Sequence, residues 1–192
     1  DTVWHAGLLQ KLLTYLPTDY YELMKSYITG RQFYVKFEDK YSDILTMEAG
    51  VPQGSVLGPL LYLLYTADIP TPATKNSLIA TFADDTVIHT YIYALVLLAS
   101  DKDPRKAAYK LQELLDNTTQ WFEKWGIKIN EDKTAHVTYT NKRKKQYNPI
   151  FIKNKQIHHD TRAKYLGMII DNKLNWNFHI GQKRREIQTR FK

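Results

Sequence analysis

A pair of adjacent carboxylates, Asp84 and Asp85, lies between two runs of β-prone apolar residues, 78–82 and 86–93. Such runs on both sides predict two strands that meet at the acidic pair. The like charges repel each other, and this repulsion is smallest in water or beside a cation. The pattern is therefore typical either of an ordinary acidic hairpin turn or of a site for a divalent metal such as Mg²⁺, which prefers oxygen ligands.

Several further blocks of sequence occur in a fixed order around this pair. They are Asp1 to Leu9, residues 49–65 with Pro52-Gln53-Gly54-Ser55, residues 125–134, and residues 164–171 followed by Leu174, Trp176 and His179. Together with Phe82-Ala83-Asp84-Asp85, these blocks resemble the reverse transcriptases of non-LTR retrotransposons, most closely those of jockey-like elements, over essentially all 192 residues. Ordered blocks are more specific than any single motif, because each supplies the context of the others.

The resemblance implies an RNA-directed DNA polymerase that extends a DNA primer on an RNA template with deoxynucleoside triphosphates. In such enzymes two Mg²⁺ ions lower the pKa of the primer 3′-hydroxyl and neutralise charge as pyrophosphate leaves. The resemblance makes Asp84 the first metal ligand and Asp85 the second, both of them catalytic. A third carboxylate would come from a block that precedes this sequence.

Three residues of the 49–65 block are implied to form the nucleotide site. By the resemblance, the amide of Gln53 contacts the incoming nucleotide, while Gly54 and Ser55 shape the surface under the template–nucleotide pair. Small residues in this segment permit a ligand to approach the backbone closely. The competing interpretation is a loop that only starts the following helix, with Ser55 as the helix cap.

Two more assignments follow from the resemblance. Lys133 would donate a proton to the departing pyrophosphate, although in a chain with 27 Lys and Arg residues an exposed lysine is usually only solvated. Tyr165, Leu166 and Gly167 resemble the hairpin that contacts the primer end. Their apolar character also fits ordinary core packing.

Two departures from the family pattern affect the expected activity. The chain begins at Asp1, six residues after the position of the family's first metal-binding Asp, so that carboxylate and the fingers would lie further upstream. Residues 87–94 form an insertion of about eight residues beside the acidic pair, which is either a long hairpin or a trace of decay. We therefore expect this chain alone to be an inactive fragment. The alternatives are a non-catalytic nucleic-acid-binding remnant and a decayed reading frame.

Charge is distributed unevenly along the chain. Residues 1–100 contain six Lys and Arg against ten Asp and Glu, a net charge of −4, whereas residues 101–192 contain 21 against ten, a net charge of +11. This asymmetry favours a nucleic-acid partner for the second half, although a solvated basic face would have the same composition. There is no cysteine, no signal pattern and no long apolar stretch. We expect no membrane partner and an intracellular location, either cytoplasm or nucleus, with no indication of oligomeric state.

Periodicity and capping residues predict an α+β fold. The resemblance specifies a polymerase palm over residues 1–170, with an antiparallel sheet, helices on one face and a hairpin that contacts the primer. Residues 171–192 would start the thumb, and the fingers would be absent. The predicted elements are helices at 4–16, 19–28, 59–65 and 103–125, a hairpin over 31–48, and strands at 134–140, 149–153 and 164–170.

The remaining polar and aromatic motifs favour structural roles. Residues 141–146 predict a basic loop, and His158-His159-Asp160 lacks the partner residues of a metal site. The spacing of the tryptophans and the apolar neighbours of two histidines predict core packing for all five residues, which are Trp121, Trp125, Trp176, His5 and His89.

Overall fold

A computed structural model describes residues 3–52, 54–72, 76–82, 94–141, 148–165 and 167–191. These residues form a mixture of helices and strands, which confirms the α+β class. The described strands pair two by two, in five antiparallel pairs and one parallel pair. The chain divides into two compact units, residues 1–70 with 120–128 and residues 71–119 with 129–192.

The first unit is built on helices α1 (His5–Tyr15), α2 (Thr18–Ile28) and α3 (Leu57–Thr66). Helices α1 and α2 confirm the predicted helices at 4–16 and 19–28. Leu8 and Leu12 form a buried stripe on α1, and Pro17 separates the two helices. The third helix begins two residues before Pro59 and buries only one face, where Leu61 and Tyr65 are fully enclosed. The prediction of a buried helix was therefore wrong for its other face, where Leu63 is exposed.

Aromatic rings surround a buried lysine in this unit. The ammonium of Lys11 lies 3.6 Å from the ring centroid of Trp125 and 4.7 Å from that of Trp121, and it pairs with the carboxylate of Asp68. Burial lowers the pKa of Lys11, and only part of this effect is offset by Asp68. The predicted core positions of both tryptophans are confirmed, and so is that of His5, whose imidazole lies 2.8 Å from the carbonyl oxygen of Gly50.

The predicted hairpin over 31–48 is confirmed, although its pairing is interrupted. Strand β1 (Gln32–Phe33) pairs with β4 (Leu45–Thr46), and β2 (Lys36–Phe37) pairs with β3 (Lys40–Tyr41) around a two-residue turn. The register shifts by one residue between the two pairs, as in a β-bulge. Ser42 bridges this irregular stretch by accepting the N–H of Val35 and donating its own N–H to the Val35 carbonyl.

The second unit contains the long strand pair and most of the long helix. Strand β5 (Ser77–Phe82) runs antiparallel to β6 (Ala94–Ala99), with Ser77 opposite Ala99 and Phe82 opposite Ala94. Helix α4 (Pro104–Lys124) begins as predicted, because the carboxylate of Asp103 accepts the N–H of Arg105 at 2.9 Å. Its inner face packs in a buried cluster with members from several elements, namely Leu115, Ile150, Ile152 and Ile157, lined by Leu97, Ala108, Leu111 and Ile129.

Short strands complete the second unit. They are β7 (Ala135–Val137), β8 (Phe151–Ile152), β9 (Lys155–Gln156), β10 (His158–Asp160), β11 (Arg162–Tyr165) and β12 (Met168–Asp171), followed by helix α5 (Asn177–Arg190). The predicted strands at 134–140 and 149–153 are confirmed in shortened form. The prediction of one strand at 164–170 was wrong, because Gly167 at φ 75° reverses the chain between β11 and β12.

The core prediction for Trp176 was also wrong. This residue precedes α5 with a φ of 62°, and 41% of its surface is exposed. His89 lies outside the described residues. None of the helices described has the length and the continuous apolar character that crossing a membrane requires.

Candidate functional site

Strand β5 leads directly into the acidic pair in the sequence. Phe82 ends β5, and Ala94 begins its antiparallel partner β6. Asp84 and Asp85 belong to the intervening segment 83–93, which lies outside the described residues, as does the insertion apart from Ala94. In the part of the chain that the structure describes, three or more His, Asp or Glu side chains do not gather into a metal-binding group.

The loop before α3 is a tightly closed turn. The hydroxyl of Ser55 donates to the carbonyl oxygen of Pro52 at 2.8 Å and accepts the N–H of Gly58 at 2.9 Å. Ser55 thus makes the contact of a helix cap, as one of the two interpretations expected. Gly54 is exposed with a φ of 76°, a conformation that favours glycine, and Gln53 lies outside the described residues.

Gly58, in the first turn of α3 beside this loop, is a residue that the sequence motif does not single out. A Cβ atom at this position would lie 2.5 Å from the carbonyl oxygen of Pro52 and 3.1 Å from Oγ of Ser55. Only glycine therefore lets the first turn of α3 pack against the backbone of Pro52. The available signal was a glycine in the first helical turn, where it lowers helix propensity and so calls for a packing reason.

Helix α1 supports the same loop from its other end. The N–H of Gly50 donates to the carbonyl oxygen of Val3 at 2.8 Å, and the carbonyl oxygen of Gly50 lies 2.8 Å from Nε2 of His5. Trp4 and Ala49 form an antiparallel bridge beside these contacts. The start of α1 and the loop therefore form one hydrogen-bonded assembly within the first unit.

Lys133 ends a single 3-10 turn, Glu131–Lys133, and its side chain is exposed. The turn is held by Oδ1 of Asn130, which accepts the N–H of Lys133 at 3.1 Å. The neighbouring acids bind a different cation: Asp132 lies 2.7 Å from Nζ of Lys155, which lowers the pKa of Asp132. Among the described residues no carboxylate forms an ion pair with Lys133, and its catalytic role stays a prediction.

The β11–β12 hairpin contains the residues that resemble a primer contact. Tyr165 pairs with Met168, and Gly167 before Met168 is exposed. Leu166 lies outside the described residues. Tyr165 is half-buried. Ordinary core packing therefore does not describe the exposed Gly167, and its contact with a primer stays a prediction.

His159 of β10 contacts His136 of β7, its opposite residue in the parallel strand pair. The rings of His136 and His159 meet edge to face, with centroids 5.1 Å apart. Burial and the neighbouring His159 both lower the pKa of His136, so the neutral imidazole is favoured there. Residues 142–147 of the basic loop lie outside the described residues.

The connection between β12 and α5 is a second feature that the sequence did not predict. Asp171 is only 5% exposed, and its carboxylate accepts backbone N–H groups from the segment that follows it. On α5, Nδ1 of His179 accepts the N–H of Ile169 at 3.3 Å. Asp171 ends the sequence block 164–171 and His179 follows it, but their contacts depend on the folded chain.

Comparison with known proteins gives a consistent result. The family described as "Reverse transcriptase (RNA-dependent DNA polymerase)" matches residues 1–170. The chain is 37% identical over 193 residues to the probable RNA-directed DNA polymerase from transposon X-element of Drosophila melanogaster, a match that covers 99% of this chain and 20% of that protein. It is 38% identical over 196 residues to the RNA-directed DNA polymerases from mobile element jockey of Drosophila melanogaster and Drosophila funebris, again covering 99% of this chain and 20% of each relative. The chain thus spans about a fifth of the length of these relatives.

Proposed function

This chain belongs to the reverse transcriptase family, and on that premise we propose that it is the part of a transposon's RNA-directed DNA polymerase that carries the catalytic aspartates. The observation that carries the proposal is the family match over residues 1–170, within which Ala83-Asp84-Asp85 follows in sequence directly after the six-residue strand β5. In this proposal residues 1–170 are a partial palm and residues 171–192 begin the thumb.

Asp84 and Asp85 would bind the Mg²⁺ ions of this reaction. Two adjacent carboxylates are a donor set that fits a hard cation, which is usually held by one or two protein carboxylates and by substrate phosphates. The bound ions would supply acidification of the primer 3′-hydroxyl and charge neutralisation of the phosphates. Asp84 would contribute the principal negative charge, and Asp85 would hold the second position.

The loop from Pro52 to Gly58 would receive the incoming nucleotide. Gln53 would contact the nucleotide, while Gly54 and Ser55 would form the surface beneath the base pair. The hydrogen bonds of Ser55 to Pro52 and Gly58 support this role, because they attach the backbone of Pro52 to the first turn of α3 before a ligand binds. The exposed Lys133 would protonate pyrophosphate, and Tyr165, Leu166 and Gly167 would contact the primer end.

The experiment is RNA-templated primer extension by the whole polypeptide that contains this chain. Purified protein, a DNA primer annealed to an RNA template, deoxynucleoside triphosphates and Mg²⁺ should give extended primer, and chelation of the metal should stop it. Binding of the primer–template without any incorporation would favour the non-catalytic remnant instead. An RNA template that is neither bound nor copied would contradict both interpretations.

We expect most of the nucleic-acid affinity to come from residues 101–192, whose net charge is +11. If about six phosphates are contacted, affinity for a duplex should fall of order 10³-fold over a fourfold rise in salt. Arg184→Ala on α5 should make the negative slope of log affinity against log salt shallower by about one unit. Lys40→Ala, which removes another exposed cation but in the acidic half of the sequence, should leave the slope unchanged. Fluorescence anisotropy with a labelled duplex measures both slopes, and a salt-independent affinity would contradict the expectation.

A further inference from the structure

The segment from Asp171 to His179 joins the β11–β12 hairpin to α5, and we name it the hairpin–helix joint. Its first residue ends β12, and a buried carboxylate there organises the backbone that follows. One oxygen of Asp171 accepts the N–H of Lys173 at 2.9 Å, and the other accepts those of Asn175 at 3.2 Å and Trp176 at 3.0 Å. Burial alone would raise the pKa of Asp171, but these N–H donors outweigh it and hold the pKa below its usual range.

The backbone of the joint adopts conformations that side chains disfavour. Leu174 has a φ of 56° and Trp176 a φ of 62°, both in the left-handed region. Residues with a Cβ atom remain in this region when surrounding contacts determine the conformation. The bonds from Asp171 provide such contacts, since they fix the N–H groups on both sides of Leu174 and at Trp176 itself. The joint therefore has one defined path.

The far end of the joint is attached to the hairpin by His179. Its Nδ1 atom accepts the N–H of Ile169 at 3.3 Å. Ile169 lies opposite Lys164, and along an antiparallel strand alternate N–H groups point away from the partner, so His179 covers the outer edge of β12. The neighbouring Phe178 ring lies 4.2 Å from the guanidinium of Arg162 on β11. The first turn of α5 thus contacts both strands of the hairpin.

We propose that Asp171 and His179 are positioning residues that fix the direction in which α5 leaves the hairpin. This inference rests on the proposed function and deepens it: the cationic residues of α5 and the exposed Gly167 of the hairpin are held at one spacing, so that they bind the same primer–template backbone together. Preorganisation of this kind lowers the entropic cost of binding a long, charged ligand at two places. In this proposal both residues act through the backbone that they position and not on the reacting atoms.

The joint can be tested without any polymerase activity, because the chain contains no cysteine. Lys164→Cys on β11 and Gln188→Cys on α5 would give two unique nitroxide sites in the full chain, both at exposed positions. Pulsed electron–electron double resonance measures the distance between the two nitroxides. The doubly labelled chain without further substitutions, the parent, should give a narrow distance distribution. His179→Leu, which has no acceptor, should broaden it at least about twofold, and His179→Asn, whose Oδ1 replaces Nδ1, should keep it narrow.

Controls separate positioning from general loss of structure. His158→Leu removes an exposed imidazole from β10 and should leave the distribution narrow. If circular dichroism shows that His179→Leu has lost its helices, Asp171→Asn, which keeps the side-chain size and removes the charge, takes its place with the same expected broadening. A narrow distribution in a folded His179→Leu or Asp171→Asn protein overturns the proposal.

The second readout is the kinetics of the whole polymerase. His179→Leu should raise KM for the primer–template about tenfold while KM for the nucleotide and kcat change less than about twofold, because only the spacing of two binding elements is altered. His179→Asn should restore the parental KM. If the parent does not polymerise, the proposed function fails. The resonance result still shows whether Asp171 and His179 fix the direction of α5. A nucleotide KM that rises with that of the primer–template would overturn the positioning role.

Discussion

Replacement of Asp84 by Asn in the polymerase that contains this chain should reduce RNA-templated incorporation about 10³-fold or more. Asparagine has the same shape as aspartate but no charge, and a neutral amide oxygen is a poor ligand for Mg²⁺. The loss should appear in kcat, because the metal stabilises charge that develops during the reaction rather than charge on the bound nucleotide alone. Single-turnover extension of a labelled primer at saturating nucleotide measures this step directly.

The matched control for this variant is Asp43→Asn. Asp43 is an exposed carboxylate on the hairpin of the first unit. This change therefore removes the same charge from a part of the sequence remote from Asp84. Its incorporation rate should stay within about twofold of the parent, as for most exposed substitutions. Asp85→Asn should lie between the two. If Asp84→Asn kept more than a tenth of the parental rate, Asp84 would not be the principal metal ligand.

Helix positions were predictable from the sequence because their signals are local. The boundaries of α1 and α2 follow from leucines at helical spacing and from Pro17 between them. The start of α4 follows from Asp103-Pro104, where the carboxylate caps the helix and proline occupies its first turn. Each of these signals acts within about four residues of the feature that it predicts.

The short strands were less predictable because their pairing is not local. β7 and β10 pair in parallel with partners 23 residues apart, such as His136 and His159. β8 and β9 have two residues each, too few for an alternating pattern to be recognised. The single strand predicted over 164–170 fails for another reason: the apolar run does not reveal the positive φ of Gly167, which splits the segment into two paired strands.

The residues of the candidate site also fall into those that the sequence reveals and those that only the folded chain reveals. Asp84, Gln53, Lys133 and Tyr165 were named because they stand in motifs, and a motif is visible without the fold. Gly58 and the contacts of Asp171 were not named, since their importance depends on which backbone atoms lie beside them in three dimensions. Residues that shape or support a site are therefore found later than residues that perform its chemistry.

Gly58→Ala should be the most damaging change among the described residues of the nucleotide loop. Its Cβ would lie 2.5 Å from the backbone oxygen of Pro52, and a backbone atom cannot move aside as the end of a side chain can. The loop from Pro52 to Ser55 must then shift. A displacement near 1 Å in a substrate-positioning segment costs about 10²-fold in catalytic efficiency, so kcat/KM for the nucleotide should fall by that order. The overpacking should also destabilise the protein by about 1–3 kcal/mol.

Gly181→Ala is the corresponding control, because a Cβ at Gly181 on α5 would meet no atom within 4 Å. Alanine in this helix should stabilise the protein by about 0.5–1 kcal/mol and leave nucleotide kinetics unchanged. Urea unfolding and steady-state primer extension on both variants separate stability from loop position. If Gly58→Ala were destabilised but bound and used nucleotides normally, the loop would not contact the nucleotide. Both variants should be assayed at a temperature where they are fully folded. If kcat/KM then falls for Gly58→Ala and not for Gly181→Ala, the loss comes from the position of the loop and not from unfolding.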